Sequence, residues 1–416
     1  MGNIADAEDD DTSRATLPHR RLRPNSATCR YAGCAAKCAY QLPRGAERPD
    51  RRDLAVRFRA PGRRCYRPPA WARTEGSTVT ASDATQTLPA KSRAWRIGRE
   101  ILLHLTILAA VLAAAELILR AIDLRELRDS YEPGRSLLFR YDSELGWAPI
   151  PNAAATFTGT RSVAVRNNSL GLRDIEPGPA AKPTAMFVGD SFLWGYDAEA
   201  SERFTDLLRR ELPTVRIVNA GVPGYGTDQE YLLLERLWSA IKPDVVVLLY
   251  CTGNDREDNS ANLRNGGYYK PYLARAPDGA WRFAGQPVPW SRHAYFRDNA
   301  LVRHLWLARA AVTGFVQLRH PEIDVPDPTE RLIGMMRELV ESRGAKFLVG
   351  QVYRDARLDA FLQARGIPTA SFDDAPTYRQ DGFHWTPQGH AVVAREMMPL
   401  LAAAGIAVPD RPEQAK

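Results

Sequence analysis

Ala185-Met186-Phe187-Val188 is a four-residue apolar run that stops at Gly189-Asp190-Ser191. A run this short, apolar at consecutive positions and closed by a glycine, predicts a strand buried on both faces, as in a parallel sheet. Four more such segments follow, at 215–219, 244–250, 345–350 and 369–372. Helical patterns near 201–212, 228–241, 328–343, 355–365 and 386–403 separate or follow them. Asp327 ahead of Pro328, and Thr386 ahead of Pro387, are helix-start signals. Strand and helix in alternation require right-handed βαβ units, and so an α/β fold with a parallel sheet covered on both faces. In such a sheet, ligands collect at the carboxyl ends of the strands, where Ser191 lies.

Residues 256–327 break the rhythm between the third and fourth strands. Tyr268, Tyr269, Tyr272, Trp281, Phe283, Trp290, Tyr295 and Phe296 fall within them. Asp278-Gly279 predicts a hairpin turn, and 298–318 reads as one helix. A connection of this length is usually functional, as a lid or binding surface. Its aromatic rings either stack on sugar rings or pack a small core of the insertion itself. Ahead of the first strand, 131–180 is punctuated by Pro and Gly, and the alternation around Val163 and Val165 predicts an edge strand or hairpin.

Ile101 to Leu119 is a 19-residue apolar segment interrupted only by His104, Thr106 and Glu116. At 1.5 Å per residue it spans roughly 28 Å, about one hydrocarbon core. Lys91, Arg93, Arg96 and Arg99 precede it, which favours an inside N-terminus with the body outside. Glu116 lies within about one turn of the end, where a carboxylate can reach the interface. The expectation is an uncleaved signal-anchor helix over 100–120 in the cytoplasmic (inner) membrane, rather than a buried helix or a cleaved signal peptide.

Residues 1–90 mix an acidic run, Arg pairs and scattered Pro without any period, so a disordered tail is expected. Met1 is the only methionine before Met186. If 1–78 are an upstream extension of the reading frame, the true start uses a non-Met codon, as at Val79; a basic arm is the other reading. The net charge is +7, and residues 1–75 hold 16 Lys/Arg against 9 Asp/Glu. The remainder is therefore neutral and offers nothing to a nucleic acid. Cys29, Cys34, Cys38 and Cys65 lie in the tail, at spacings unlike a common zinc pattern, and Cys251 alone lies in the body. The body thus folds without disulfides, and neither cofactor nor metal is expected.

Four separated features converge on the predicted cleft. Ser191 ends strand one, Gly221 follows strand two in Asn219-Ala220-Gly221-Val222-Pro223-Gly224, and Asn254 follows strand three in Thr252-Gly253-Asn254-Asp255. Asp381 and His384 precede the last helix in Asp381-Gly382-Phe383-His384-Trp385-Thr386-Pro387. A serine hydroxyl attacks well only when a base takes its proton, and imidazole does this near neutral pH. A carboxylate on the other ring nitrogen fixes the tautomer and steadies the cation, and Asp-x-x-His puts both groups on one tight loop. The tetrahedral oxyanion needs fixed donors, which the N–H groups of Ser191 and Gly221 and the Asn254 amide can supply.

These blocks, in this order, resemble the SGNH (GDSL-type) hydrolase family over about 184–403. The resemblance implies a flavodoxin-like three-layer α/β/α sandwich. It further implies Ser191 as nucleophile, His384 as base, Asp381 orienting it, and Ser191, Gly221 and Asn254 as the oxyanion hole. Phe192 replaces the Leu of the GDSL name. The family's third block is usually Gly-x-Asn-Asp, whereas here Gly253 directly precedes Asn254. Of the neighbours, His390 reads as structural, Asp190 as a buttress of the turn, and Cys251 as core. Asp255 and Asp258 read as solvated loop carboxylates rather than a cation site.

The division expected is a tail (1–90), an anchor (100–120), an approach segment (127–180) and a hydrolase domain (181–408) carrying the insertion 256–327. The expected activity is hydrolysis or transfer of acyl esters through acyl-Ser191. Anchor, outward body and aromatic insertion together favour O-acetyl or O-acyl groups on an envelope or exported carbohydrate. A lipid or small-ester hydrolase, or a non-catalytic accessory of polysaccharide assembly, are the alternatives.

Overall fold

The computed structural model describes residues 90–128, 135–178, 183–264, 267–378 and 383–409. The tail 1–89 and Asp381 lie outside the described residues.

Five parallel strands form the central sheet: β1 (Thr184–Gly189), β2 (Arg216–Gly221), β3 (Val245–Tyr250), β4 (Lys346–Gln351) and β5 (Thr369–Ser371). Their spatial order is β5-β4-β3-β1-β2. This is the flavodoxin-like order, which reverses direction between β1 and β3 and opens a crevice beyond their carboxyl ends. Register puts Gly189 level with Gly221 on one side and with Leu249 on the other. The loops leaving β1, β2 and β3 therefore emerge side by side.

Apart from one turn at Arg135–Leu138, the α-helices, in chain order, are α1 (Ala90–Ile122), α2 (Ser191–Trp194), α3 (Phe204–Glu211), α4 (Thr227–Ile241) and α5 (Asp255–Asn259). They continue with α6 (Arg292–Asp298), α7 (Ala300–His304), α8 (Trp306–Arg319), α9 (Thr329–Ser342), α10 (Ala356–Arg365) and α11 (Pro387–Ala403). Side chains alternate across the sheet, so each strand feeds two cores. Met186, Val188, Val246 and Leu248 meet α4 and α9 through Leu234, Ile333 and Met336. Ala185, Phe187, Val247 and Leu249 meet α3 and α11 through Phe204, Leu208, Val393 and Met397. Double burial is why the inner strands β1, β3 and β4 read as nearly continuous apolar runs rather than alternating.

The segment before β1 joins the first of these cores. It forms antiparallel pairs 139–142 with 146–149 and 154–158 with 162–166, the second being the hairpin expected around Val163. Phe157, Trp147 and Leu172 are buried there with Trp194 and Val222. Helix α11 starts as expected, Thr386 accepting the Gly389 N–H at 3.1 Å ahead of Pro387. Helix α9 begins one residue later than expected, at Thr329, whose N–H donates to Asp327 Oδ1.

One expectation for the insertion is corrected. The single helix over 298–318 is two helices, α7 and α8, because α6 ends at Asp298, Asn299 caps α7 with its side chain and the chain turns extended again at Leu305. Of the two readings of its aromatic residues, packing is the one observed for most of them. Tyr268, Tyr269 and Phe296 are buried, Phe283 stacks on Tyr231 of α4, and Trp290 packs on Tyr141 and Tyr295. The Asp278-Gly279 turn does form, closing 272–275 onto 281–284 with Gly279 at φ +82°.

Helix α1 carries a 30-residue stretch, Arg93–Ile122, long and apolar enough to cross a membrane, with none of its apolar window buried.

Candidate active site

Strand β1 ends at Gly189, and Asp190 caps the one-turn helix α2 by accepting the Phe192 N–H at 2.9 Å. This capping bond turns the chain sharply and leaves Ser191 at the first helical position, with its N–H unused by any hydrogen bond among the described residues. Asp190 is thus the expected buttress, and burial pushes its carboxyl up to about 6.

His384 reaches Ser191 from the loop before α11: its Nε2 lies 2.8 Å from Ser191 Oγ. That loop is pinched at its neck. Thr377 bridges Trp385, Tyr378 N–H donates to His384 O at 3.0 Å, and Thr386 N–H donates to Pro376 O at 2.9 Å. Tyr196 stacks on the imidazole with ring centroids 4.2 Å apart and planes 14° from parallel, and Phe192 and Phe383 pack on its other sides. The ring is therefore held at both its backbone and its face. An imidazole nitrogen this close to a hydroxyl is positioned to take its proton as the oxygen attacks.

Gly221 does something other than expected. It is the last residue of β2, and its N–H donates to Asn219 Oδ1 at 3.0 Å. A Cβ at this position would fall 2.4 Å from Trp194 N and 2.8 Å from Leu193 C. The glycine lets α2 press against β2, which sets the height of Ser191. Three residues on, Gly224 lies in the loop ahead of α4 at φ +79°, partly exposed, and its N–H makes no hydrogen bond among the described residues. The repeated glycines of Gly221-Val222-Pro223-Gly224 were the available signal. Spacing alone did not show which one ends the strand.

Asn254 caps the top of β3 at α5. Its Nδ2 donates to Asp258 Oδ2 at 2.8 Å, and Asp258 in turn pairs with Arg264 of the insertion. An amide carries two N–H bonds, and Asp258 takes one of them.

Asp255 and Asp258 are buried, not solvated, which corrects the sequence reading. Asp255 Oδ2 accepts the Cys251 N–H at 2.8 Å and so closes the β3 turn. With Asp190, Asp228 and Glu230 these carboxylates form an acidic cluster beneath the site. Burial pushes Asp258 up to about 6, although Arg264 pulls the other way. Burial holds Glu230 and Asp255 well above the usual carboxylate range, helped by the charge of Asp255 at Glu230 and of Asp190 at Asp255. Lys270, from the insertion, pairs with Asp228, and both side chains are fully buried. His390 is structural as expected: burial, helped by Arg203 and Arg173, lowers it to about 3, and neutral Nδ1 accepts the Phe204 N–H at 3.4 Å.

The sequence profile of the GDSL-like lipase/acylhydrolase family matches residues 187–392, a span that opens in β1 and closes in α11. The chain belongs to this family. It is an ester-bond hydrolase, and its parallel sheet has the SGNH hydrolase arrangement. No curated protein matches the chain.

Similar solved structures include a putative lipolytic protein of the G-D-S-L family from Desulfitobacterium hafniense DCB-2. It is 11% identical, with 53% of this chain and 99% of that chain covered, at a TM-score of 0.31. The psychrotrophic esterase EstA from Pseudoalteromonas sp., inhibited by monoethylphosphonate, is 10% identical over 53% and 98% of the two chains, TM-score 0.32. A catalytic mutant of an acetylxylan esterase from Geobacillus stearothermophilus is 12% identical over 53% and 95%, TM-score 0.31.

Proposed function

We propose that this GDSL-like hydrolase is a membrane-anchored serine esterase that cleaves, or transfers, O-acetyl or O-acyl groups on an envelope or exported carbohydrate. The observation that carries the reading is the 2.8 Å contact between His384 Nε2 and Ser191 Oγ. His384 takes the hydroxyl proton as Ser191 Oγ adds to the ester carbonyl, and returns it to the departing alkoxide as the acyl-Ser191 intermediate forms. Water, or a sugar hydroxyl, then attacks that intermediate with His384 again as base. Asp381, three residues before His384, is assigned the orienting carboxylate. The Ser191 N–H, the second Asn254 N–H and, in place of Gly221, the Gly224 N–H are assigned to the oxyanion. Such donors act because they are fixed before charge develops.

Tyr196, Tyr353 and Phe383 are half-buried around this pair and leave part of each ring open, as a substrate with flat apolar sugar faces requires. The apolar helix with cationic residues before it supports an inner-membrane anchor and a body on the outer side.

The test uses the full chain in detergent with a fluorophosphonate probe, beside Ser191→Ala and His384→Ala. Wild type should label and the Ser191 variant should not. Acetate release from an O-acetylated glycan should exceed hydrolysis of long-chain acyl esters. A folded wild type that neither labels nor turns over would end the esterase reading, and preference for long-chain esters would end the carbohydrate one.

A further inference from the structure

Glu116 lies six residues before the end of α1, about 9 Å along the helix axis. Its two carboxylate oxygens accept the N–H groups of Trp306 and Leu307, each at 2.9 Å. These are the first two residues of α8, whose own capping position, Leu305, provides no side-chain acceptor. Helix α8 therefore takes its cap from the apolar helix. Arg120, one turn further along α1, donates to Glu116 at 2.8 Å and to His304 O at 2.6 Å. Buried Arg309 of α8 donates to Leu127 O at 2.9 Å, just beyond α1. Three hydrogen bonds thus fix the junction of α7 and α8 at the last turns of the span, a fourth ties α8 to Leu127 just beyond it, and the Arg120–Glu116 bond braces them from within α1.

The α7–α8 side of that junction is apolar and basic, while the stretch after α1 carries Arg125 and Arg128 against Asp123 and Glu126. Leu301 is 62% exposed and Leu305 39%, beside Ile118, Ile122 and Leu124 of the span's end, all exposed. From Ala300 to His320 there is no Asp or Glu, while Arg303, Arg309 and Arg319 are present. Arg303 and Arg125 are exposed next to the apolar residues. A helical segment with exposed leucines and an exposed arginine, held within about 9 Å of the end of a span, matches the depth of interfacial helices, roughly 5–10 Å into the headgroup and acyl boundary.

We infer that the α7–α8 junction is a second membrane contact: Leu301 and Leu305 enter the outer leaflet while Arg303 and Arg125 meet anionic lipid headgroups. This rests on the anchored reading of α1 and deepens it. The catalytic body is then not tethered loosely by one helix. Glu116 fixes its orientation, so the face carrying α7 and α8 rests on the bilayer.

The full chain, with Cys29, Cys34, Cys38 and Cys65 changed to Ser, is reconstituted in 3:1 phosphatidylethanolamine:phosphatidylglycerol vesicles. An environment-sensitive fluorophore is attached in turn to Leu301→Cys, Leu305→Cys, Val111→Cys in the span and Gln363→Cys on the exposed body. Labels at 301 and 305 should be blue-shifted, quenched by nitroxide lipids and shielded from iodide, like 111 and unlike 363. Adding Glu116→Ala should abolish lipid quenching at 305 and leave it at 111. Iodide quenching at 301 and 305 with lipid quenching at 111 would overturn the seating and leave the anchor standing. Iodide quenching at 111 as well would overturn both.

Discussion

Lys270 and Asp228 test how far the insertion is built into the hydrolase body. Lys270 lies in the insertion and Asp228 in the first turn of α4, and neither side chain is exposed. Lys270 Nζ also donates to Pro271 O at 3.0 Å, and Asp228 Oδ1 accepts the Gln229 N–H at 2.8 Å. Burial pushes the Asp228 carboxyl up, and Lys270 is the first opposing influence. Lys270→Met keeps the length of the stem and deletes the charge. Removing one partner of a buried pair typically costs about 3–5 kcal/mol. A second route gives the same size. An isolated Asp228 would fold protonated, and neutralising a carboxyl of ordinary pKa ~4 at pH 7 costs ~1.4 kcal/mol per unit, or ~4 kcal/mol. For a body of this size, the unfolding temperature should fall by roughly 8–16 °C.

The pH dependence has a defined sign. In the variant the native state holds a proton that the unfolded chain releases above pH ~4, so its stability falls as pH rises through that window. At pH 5 the deficit should shrink to ~1.4 kcal/mol. Asp228→Asn combined with Lys270→Met removes both charges and should recover most of the loss at pH 7. Differential scanning fluorimetry of the detergent-solubilised chain at pH 5 and 7 measures all four cases. A single variant within ~3 °C of wild type at pH 7, or a double variant no better than the single, would refute the buried-pair reasoning.

Two further outcomes follow from the cluster beneath the site. Asp258→Ala releases the Asn254 amide from its acceptor, so kcat for p-nitrophenyl acetate should fall by on the order of 10- to 100-fold with KM little changed; an unaltered kcat in a folded variant removes Asp258 from the positioning role. Glu230 is fully buried, its oxygens have no hydrogen-bond partner among the described residues, and its carboxyl is held well above the usual range by burial and by Asp255, Asp190, Asp228 and Asp258. A raised carboxyl stabilises below its unfolded pKa, and that stability is lost as pH rises through the folded value. Glu230→Gln should therefore flatten the decline of unfolding temperature between pH 5 and 8, and an equally steep decline would show that Glu230 is not the group responsible.

Much of the sheet was legible because double burial writes itself into consecutive residues. Met186 and Val247 face opposite layers yet are both apolar, so β1 to β4 stood out within a residue or two, whereas β5, at the sheet edge, is only partly buried. Ser191 and His384 were legible as residue types in order, and the fold brings them together across 193 positions. What local pattern could not reveal was competition for hydrogen bonds. Gly221 looked like a free donor until Asn219, two residues earlier, was seen to hold its N–H. Asp255 and Asp258 looked solvated because carboxylates beside a loop usually are. The partner that lets Asp258 sink, Arg264, lies on a strand whose placement no period predicts. The helix over 298–318 failed for a simpler reason: its apolar spacing persists through two breaks, and only the Asn299 cap marks the first.

The two cations that the insertion sends beneath the site, Arg264 to Asp258 and Lys270 to Asp228, bear on how this hydrolase can diversify. A loop that only roofed a cleft could be exchanged between relatives and retune substrate choice. This one supplies the counter-charges for carboxylates rooted in α4 and α5, and one of those carboxylates holds Asn254. A graft that replaces 256–327 must carry matching cations or also change Asp228 and Asp258. Inheritance of this segment and of the acidic residues below it is therefore a single heritable unit, and recombination within it should yield inactive chains more often than new specificities.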